Sequence, residues 1–160
     1  MPEPPLPTPP ARPTPPFLFL FLDLPFGAAV GYATVAMPWW LRQGGLSLAE
    51  IGALSATAFA PHGLKLLWVP AVDLLGTRRS WYLAMCAATA ALLVAASLVP
   101  DPVRNLWLYG ALVTLAQATA TTGHVANSAL MAITTRFEDK GKAAGFSMAS
   151  NLGGTGLLGA

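Results

Sequence analysis

The residues best suited to chemistry in this sequence lie between positions 117 and 128. Gln117, Thr121, His124 and Ser128 recur at i, i+4, i+7 and i+11, with Thr114 and Asn127 close by, a spacing that stacks them on one face of a single helix. An imidazole titrates near neutral pH, so His124 on such a face could bind a polar solute or carry a proton. These side chains outnumber what helix association needs, which favours a cavity wall over a set of interhelical hydrogen bonds. His62, beside Pro61, reads as packing between helices.

Two charges fall inside apolar runs. Asp23 and Lys65 each lie about 7–9 Å from the same end of their runs at 1.5 Å per residue, so antiparallel neighbours would hold them at one depth. A clamp between the two is one reading; the favoured one, since both lie within reach of the interface, is that Lys65 snorkels to the headgroups and Asp23 caps a helix starting near Pro25. No enzyme chemistry is legible. The chain has no GxSxG, HExxH or P-loop, and Asp139-Lys140-Gly141-Lys142 lacks the glycine spacing that cradles phosphate. The two histidines have no carboxylate or cysteine near in sequence to complete a metal site, and Cys86 is alone in an apolar run. The expectation is no catalytic set, no metal and no cofactor.

The elements that must position these residues are apolar helices. Of 160 residues, 54% are hydrophobic and 10% charged, against about a quarter charged in an ordinary soluble domain, and the mean hydropathy is +0.56. A lipid bilayer is the expected surrounding. A net charge of +2 is too small for a phosphate-binding surface, so no nucleic-acid partner is expected. Residues 1–16 hold nine of the fifteen prolines and read as a disordered, solvated tail. The remainder, 17–160, reads as a transmembrane domain with spans at about 17–40, 48–69, 81–99 and 106–134, and a fifth from 143 that is still running at 160. Ser47 with Glu50 three residues on forms a capping box, flanked by Leu46 and Ile51 as a hydrophobic staple. Gly27 and Gly31, and Gly145, Ala149 and Gly153, carry small residues at four-residue spacing for close helix packing, and Gly153, Gly154 and Gly156 could let the last helix bend. Arg12, Arg78, Arg79, Arg136, Lys140 and Lys142 fall on one side, against Arg42 and Arg104 on the other, which places the N-terminus in the cytoplasm.

Between the second and third runs the chain reads VPAVDLLGTRR, where Asp73, Gly76 and Arg78 match the acid, second glycine and last base of the loop motif GxLaDrxGrr. With LPFGAAVGYATVAMPWWL (24–41), GLSLAEIGALS (45–55), HGLKLLWVPAVDLLGTRRSW (62–81) and GKAAGFSMASNLGGTG (141–156), the sequence resembles the AmpG-like branch of the major facilitator superfamily. That branch includes muropeptide permeases and relatives of the acetyl-coenzyme A transporter, and its pattern before RRSW is met by Lys65, Trp68, Pro70, Asp73, Arg78 and Arg79. The resemblance covers residues 22–160. It implies an all-α polytopic bundle, here the N-terminal half with four full spans and a partial fifth, in a bacterial inner membrane. It also implies secondary transport of a small solute, with a coupling proton as an option and with missing C-terminal helices or another chain required. Asp23, Lys65, Asp73, Arg78 and Arg79 would be gating or structural charges. Where muropeptide permeases have TQDIxxDA on the fourth helix, this chain has TTGHVANS, so Gly123 and Asn127 replace two acids and His124 is left to act for them. A small membrane protein that binds or scaffolds a partner without solute flux is the competing reading.

Overall fold

Proline decides the shape of the first apolar run. In the computed structural model, which describes residues 13–74 and 76–159, Pro16–Gln43 forms one helical element of 28 residues, α1. Pro25 has no amide and its ring crowds the carbonyl four residues back. The helix accordingly breaks into a turn at Asp23, between Phe19–Leu22 and Leu24–Gly31. Pro38 acts the same way further along, and Tyr32–Ala36 ahead of it widens into a π-helical turn.

After a turn at Gly45, whose φ of 91° is open to glycine, α2 runs over Leu48–Leu64. Its expected start is present in full. The Ser47 amide donates to Glu50 Oε2 at 2.9 Å and the Glu50 amide to Ser47 Oγ at 3.3 Å, while Leu46 and Ile51 are both buried in one apolar cluster. Beyond Leu64 the chain tightens into a 3₁₀ turn, Lys65–Leu67, and a short helix, Pro70–Leu74. Gly76 turns the chain at φ 79°, and α3, Arg78–Ser97, opens on a second capping box between Thr77 and Ser80 that the sequence reading missed. Helix α4 covers Leu106–Thr134 and α5 Lys140–Gly159. Among the described residues there is no strand.

Helix α4 is the hub. It lies along α3 for most of its length and also meets α2 and α1, while α5 packs mainly on α1. An apolar core joins Ala33, Met37 and Leu41 of α1, Ile51 and Ala58 of α2, and Tyr109 and Val113 of α4. The α1–α5 pair is parallel: Gly27 faces Ser150 and Asn151, and Gly31 faces Thr155, four residues further along both helices. A Cβ built on Gly27 would stand 2.5 Å from the Asn151 carbonyl oxygen, and one on Gly31 2.5 Å from that of Thr155. The expected close approach at this pair is therefore present. On α5 the contact is made by Gly154, against the backbone of Gly27 and Ala28, whereas Gly145 and Gly153 face open space, and α5 stays helical through 153–156.

The all-helical class stands, but the set of membrane spans is corrected. Two elements, Pro16–Gln43 and Arg78–Ser97, are long and apolar enough to cross a membrane, not four with a partial fifth, and the half-bundle inferred from the family resemblance falls with that count. Each shortfall has a physical origin. The run from 48 to 69 breaks at Leu64, after Pro61 and Gly63, leaving a 17-residue helix, about 26 Å against a hydrocarbon core of about 30 Å. Helix α4 is long, but its stripe of Gln, Thr, His, Asn and Ser dilutes its apolarity, and α5 starts with Lys140 and Lys142 and carries Ser147, Ser150, Asn151 and Thr155.

Candidate functional site

The break in α1 at Asp23 is where the polar groups converge. Asp23 precedes the Leu24–Gly31 segment as its cap, yet its side chain makes no capping bond. It turns inward instead and is 1% exposed. Asp23 Oδ1 lies 2.9 Å from His124 Nδ1 and accepts from Asn127 Nδ2 at 2.9 Å, and Ser147 Oγ donates to Oδ2. One carboxylate thus ties α1 to α4 and α5.

A buried carboxylate is tolerated only when hydrogen-bonded and charge-compensated. His124 is the group here that can compensate it, and the Nδ1···Oδ1 contact requires a proton on one partner or the other. The imidazole is fixed from its face as well, stacked on the Phe26 ring at 4.3 Å between centroids and 18° between planes. Beside the pair lies a cavity of about 10 Å³, lined by Asp23, Tyr82, Cys86, Thr89 and His124 among others, room for about one water. The Tyr82 hydroxyl donates to the Leu22 carbonyl at 2.7 Å and secures the backbone just ahead of Asp23.

Further along α4 the stripe changes character. Gln117 is fully buried; its Nε2 donates to the Ala29 carbonyl at 2.6 Å and its Oε1 lies 3.1 Å from His62 Nε2. That carbonyl sits in the helical stretch near the π-turn, and Gln117 and His62 bridge α1, α2 and α4, the packing role expected of His62. Thr121 Oγ1 and Asn127 Oδ1 are buried and have no hydrogen-bond partner among the described residues. Ser128 is half-buried and stands outside the Asp23 bonds.

The charges sort differently from the expectation. Asp23 is bonded by His124, Asn127 and Ser147, not clamped by Lys65, which lies half-buried in the 3₁₀ turn after α2. Equal depth was the warrant for that clamp, and depth does not set the direction in which a side chain leaves its helix. Arg78 and Arg79 occupy the first turn of α3. Asp73 belongs to the short helix Pro70–Leu74, but its side chain, like Arg12 and the tail through residue 12, lies outside the described residues. Ser147, Phe26 and Tyr82 were missed. The one signal that pointed to Ser147 is its spacing: Ser147, Asn151 and Thr155 share four-residue steps with Asp23, Gly27 and Gly31. Trp68 Nε1 donating to Thr122 Oγ1 at 2.9 Å gives the turn after α2 its anchor on α4. Among the described residues no group of three His, Cys, Asp or Glu side chains is placed to hold a metal.

No protein-family model matches this chain, and no solved structure matches it significantly. Among curated proteins, an uncharacterized protein of Haemophilus influenzae is 41% identical over an alignment of 75 residues that covers 44% of this chain and 17% of that protein. The chain spans 17% of the length of that relative.

Proposed function

We propose that this chain contributes to secondary transport of a small polar solute across a bacterial inner membrane, in the manner of the major facilitator transporters it resembles, with its N-terminus in the cytoplasm. The observation that carries the proposal is the buried Asp23 carboxylate paired with the half-buried His124 at the meeting of three helices. A carboxylate and an imidazole sharing one proton form a site whose charge changes by one unit when that proton leaves, and such groups inside apolar bundles serve proton relays. Thr121 Oγ1 and Asn127 Oδ1, buried without partners among the described residues, supply hydrogen-bonding capacity for a solute on the same helix. The outward faces support a lipid setting: Leu83 and Val94 of α3 are 55% and 60% exposed and Leu98, directly after it, 74%, and 11% of the most apolar stretch of α3 is buried, where a core helix of a water-soluble protein would be mostly covered.

Transport in this family proceeds by rocking of helical repeats about a central cavity, which needs further helices from a longer chain or a second one. Uptake into proteoliposomes tests the reading, using the protein with whatever further helices its reading frame encodes. Muropeptides, sugars and coenzyme A thioesters are offered with and without a proton gradient. The expected result is gradient-dependent uptake of one class, abolished by Asp23→Asn. A protein that stays soluble without detergent, or that moves none of the three classes, contradicts it and favours the scaffold reading.

A further inference from the structure

A second cavity, of about 180 Å³, opens at the opposite end of the bundle, between the C-terminal end of α1, the end of α3 and the start of α4. It shares no residue with the Asp23 site. Tyr32, Trp40 and Tyr109 supply three aromatic rings to its wall, Ser97 a hydroxyl, and Asp101 a carboxylate. The wall is built rather than incidental. Tyr109 is 2% exposed and its hydroxyl donates to that of Tyr32 at 3.3 Å, with Ser97 Oγ 3.5 Å from the same oxygen. Tyr32 opens the π-turn that Pro38 forces on α1, so the irregularity of that helix sets the ring's place. Asp101 holds a left-handed backbone at φ 50°, an uncommon conformation outside glycine.

From this chemistry we infer a binding site for a small organic ammonium group of the choline type. Aromatic faces are electronegative and attract cations, above all desolvated and weakly hydrated ones. The charged group in the wall is a carboxylate, so an anion is repelled. Arg104 pairs with Asp101, Nε to Oδ2 at 3.3 Å, and its amide donates to Oδ1 at 3.2 Å; both side chains are exposed, 85% and 51%, so the ion pair is weak and yields to a competitor. The size fits as well: cavities of about 150 Å³ accept guests as large as benzene, the scale of a trimethylammonium group and too small for a drug-sized ligand. The ammonium could belong to a lipid headgroup or to a free solute, and the site's position among the exposed tryptophans Trp39, Trp40 and Trp107 is where aromatic side chains meet headgroups.

Choline binding to the purified protein in a maltoside detergent, followed by calorimetry at constant ionic strength, tests the inference. Its neutral isostere 3,3-dimethylbutanol is the control. Saturable binding of choline, at least tenfold tighter than the isostere, is expected, weakened about tenfold by Asp101→Asn and several-fold by Trp40→Ala. Asn tolerates the left-handed backbone and Trp40 is 60% exposed, so both variants should fold, with circular dichroism to verify it. In nanodiscs, loss of choline binding in phosphatidylcholine but not in phosphatidylglycerol identifies a lipid headgroup as the source, and binding in both identifies a free ammonium. Equal affinity for the isostere, unchanged affinity in Asp101→Asn, or no choline binding overturns it. None of these readouts depends on solute transport, so the inference can fail while the transport proposal stands, and the reverse.

Discussion

Asp23 illustrates how a single side chain can be recognised without its neighbours being recognised. An acid inside an apolar run is conspicuous in any sequence, and so is the four-residue stripe that delivers His124 and Asn127. Their union was not legible, because it depends on the rotational phase of two helices distant in sequence and on the break that Pro25 imposes on α1. The same ignorance of phase paired Asp23 with Lys65. Replacing Asp23 by Ala leaves the buried amide of Asn127 and the half-buried hydroxyl of Ser147 without their acceptor, and should lower stability by about 1–3 kcal/mol, read as a shift in the thermal midpoint of the detergent-solubilised protein. Ser128→Ala, outside the bond set, should stay within about 0.5 kcal/mol of the parent. Equal effects of the two substitutions would mean that the Asp23 cluster is not formed.

Helix ends and contacts set the next scale. Local signals were read well: the Ser47–Glu50 box and the Leu46–Ile51 staple depend on residues a few positions apart, and both are present. Glycine contacts were half legible, since the spacing at Gly27 and Gly31 is shared by Gly145 and Gly153, and only the partner helix decides which is used. Gly27→Ala or Gly31→Ala must push α1 from the α5 backbone and should cost about 1–3 kcal/mol, whereas Gly145→Ala, facing open space, should be neutral or slightly stabilising through helix propensity. Thermal melts of the three variants side by side check this. At the start of α2, the hydroxyl and amide of Ser47 hold the exposed Glu50 carboxyl below the ordinary glutamate range. A lowered folded-state pKa stabilises above the unfolded value and ceases to do so as pH falls through the folded one. Hydrogen-exchange protection of the first turn of α2 should therefore fall in acid, beginning in the ordinary glutamate range and completing below the lowered folded-state value. Ser47→Ala should cost about 1 kcal/mol and remove that acid dependence.

At the scale of the whole molecule, composition gave the all-helical, apolar character, while the number of spans was overestimated. Apolar runs were counted by length in sequence, and the chain spends part of that length on the turn after Leu64 and on the polar faces of α4 and α5. What emerges is a bundle with hydrophilic groups gathered at Asp23 and Gln117, an apolar core around Met37, Leu41 and Tyr109, and many other large apolar side chains turned out. Lipid exposure of α3 tests this most directly. In a Cys86→Ser background, nitroxide labels at Leu83→Cys and Val94→Cys in proteoliposomes are compared for collision with oxygen, which concentrates in the acyl phase, and with a water-soluble nickel chelate. Both labels should relax strongly with oxygen and weakly with nickel; strong nickel contact at both, as on the surface of a protein dissolved in water, would contradict the membrane-embedded bundle and the transport proposal built on it.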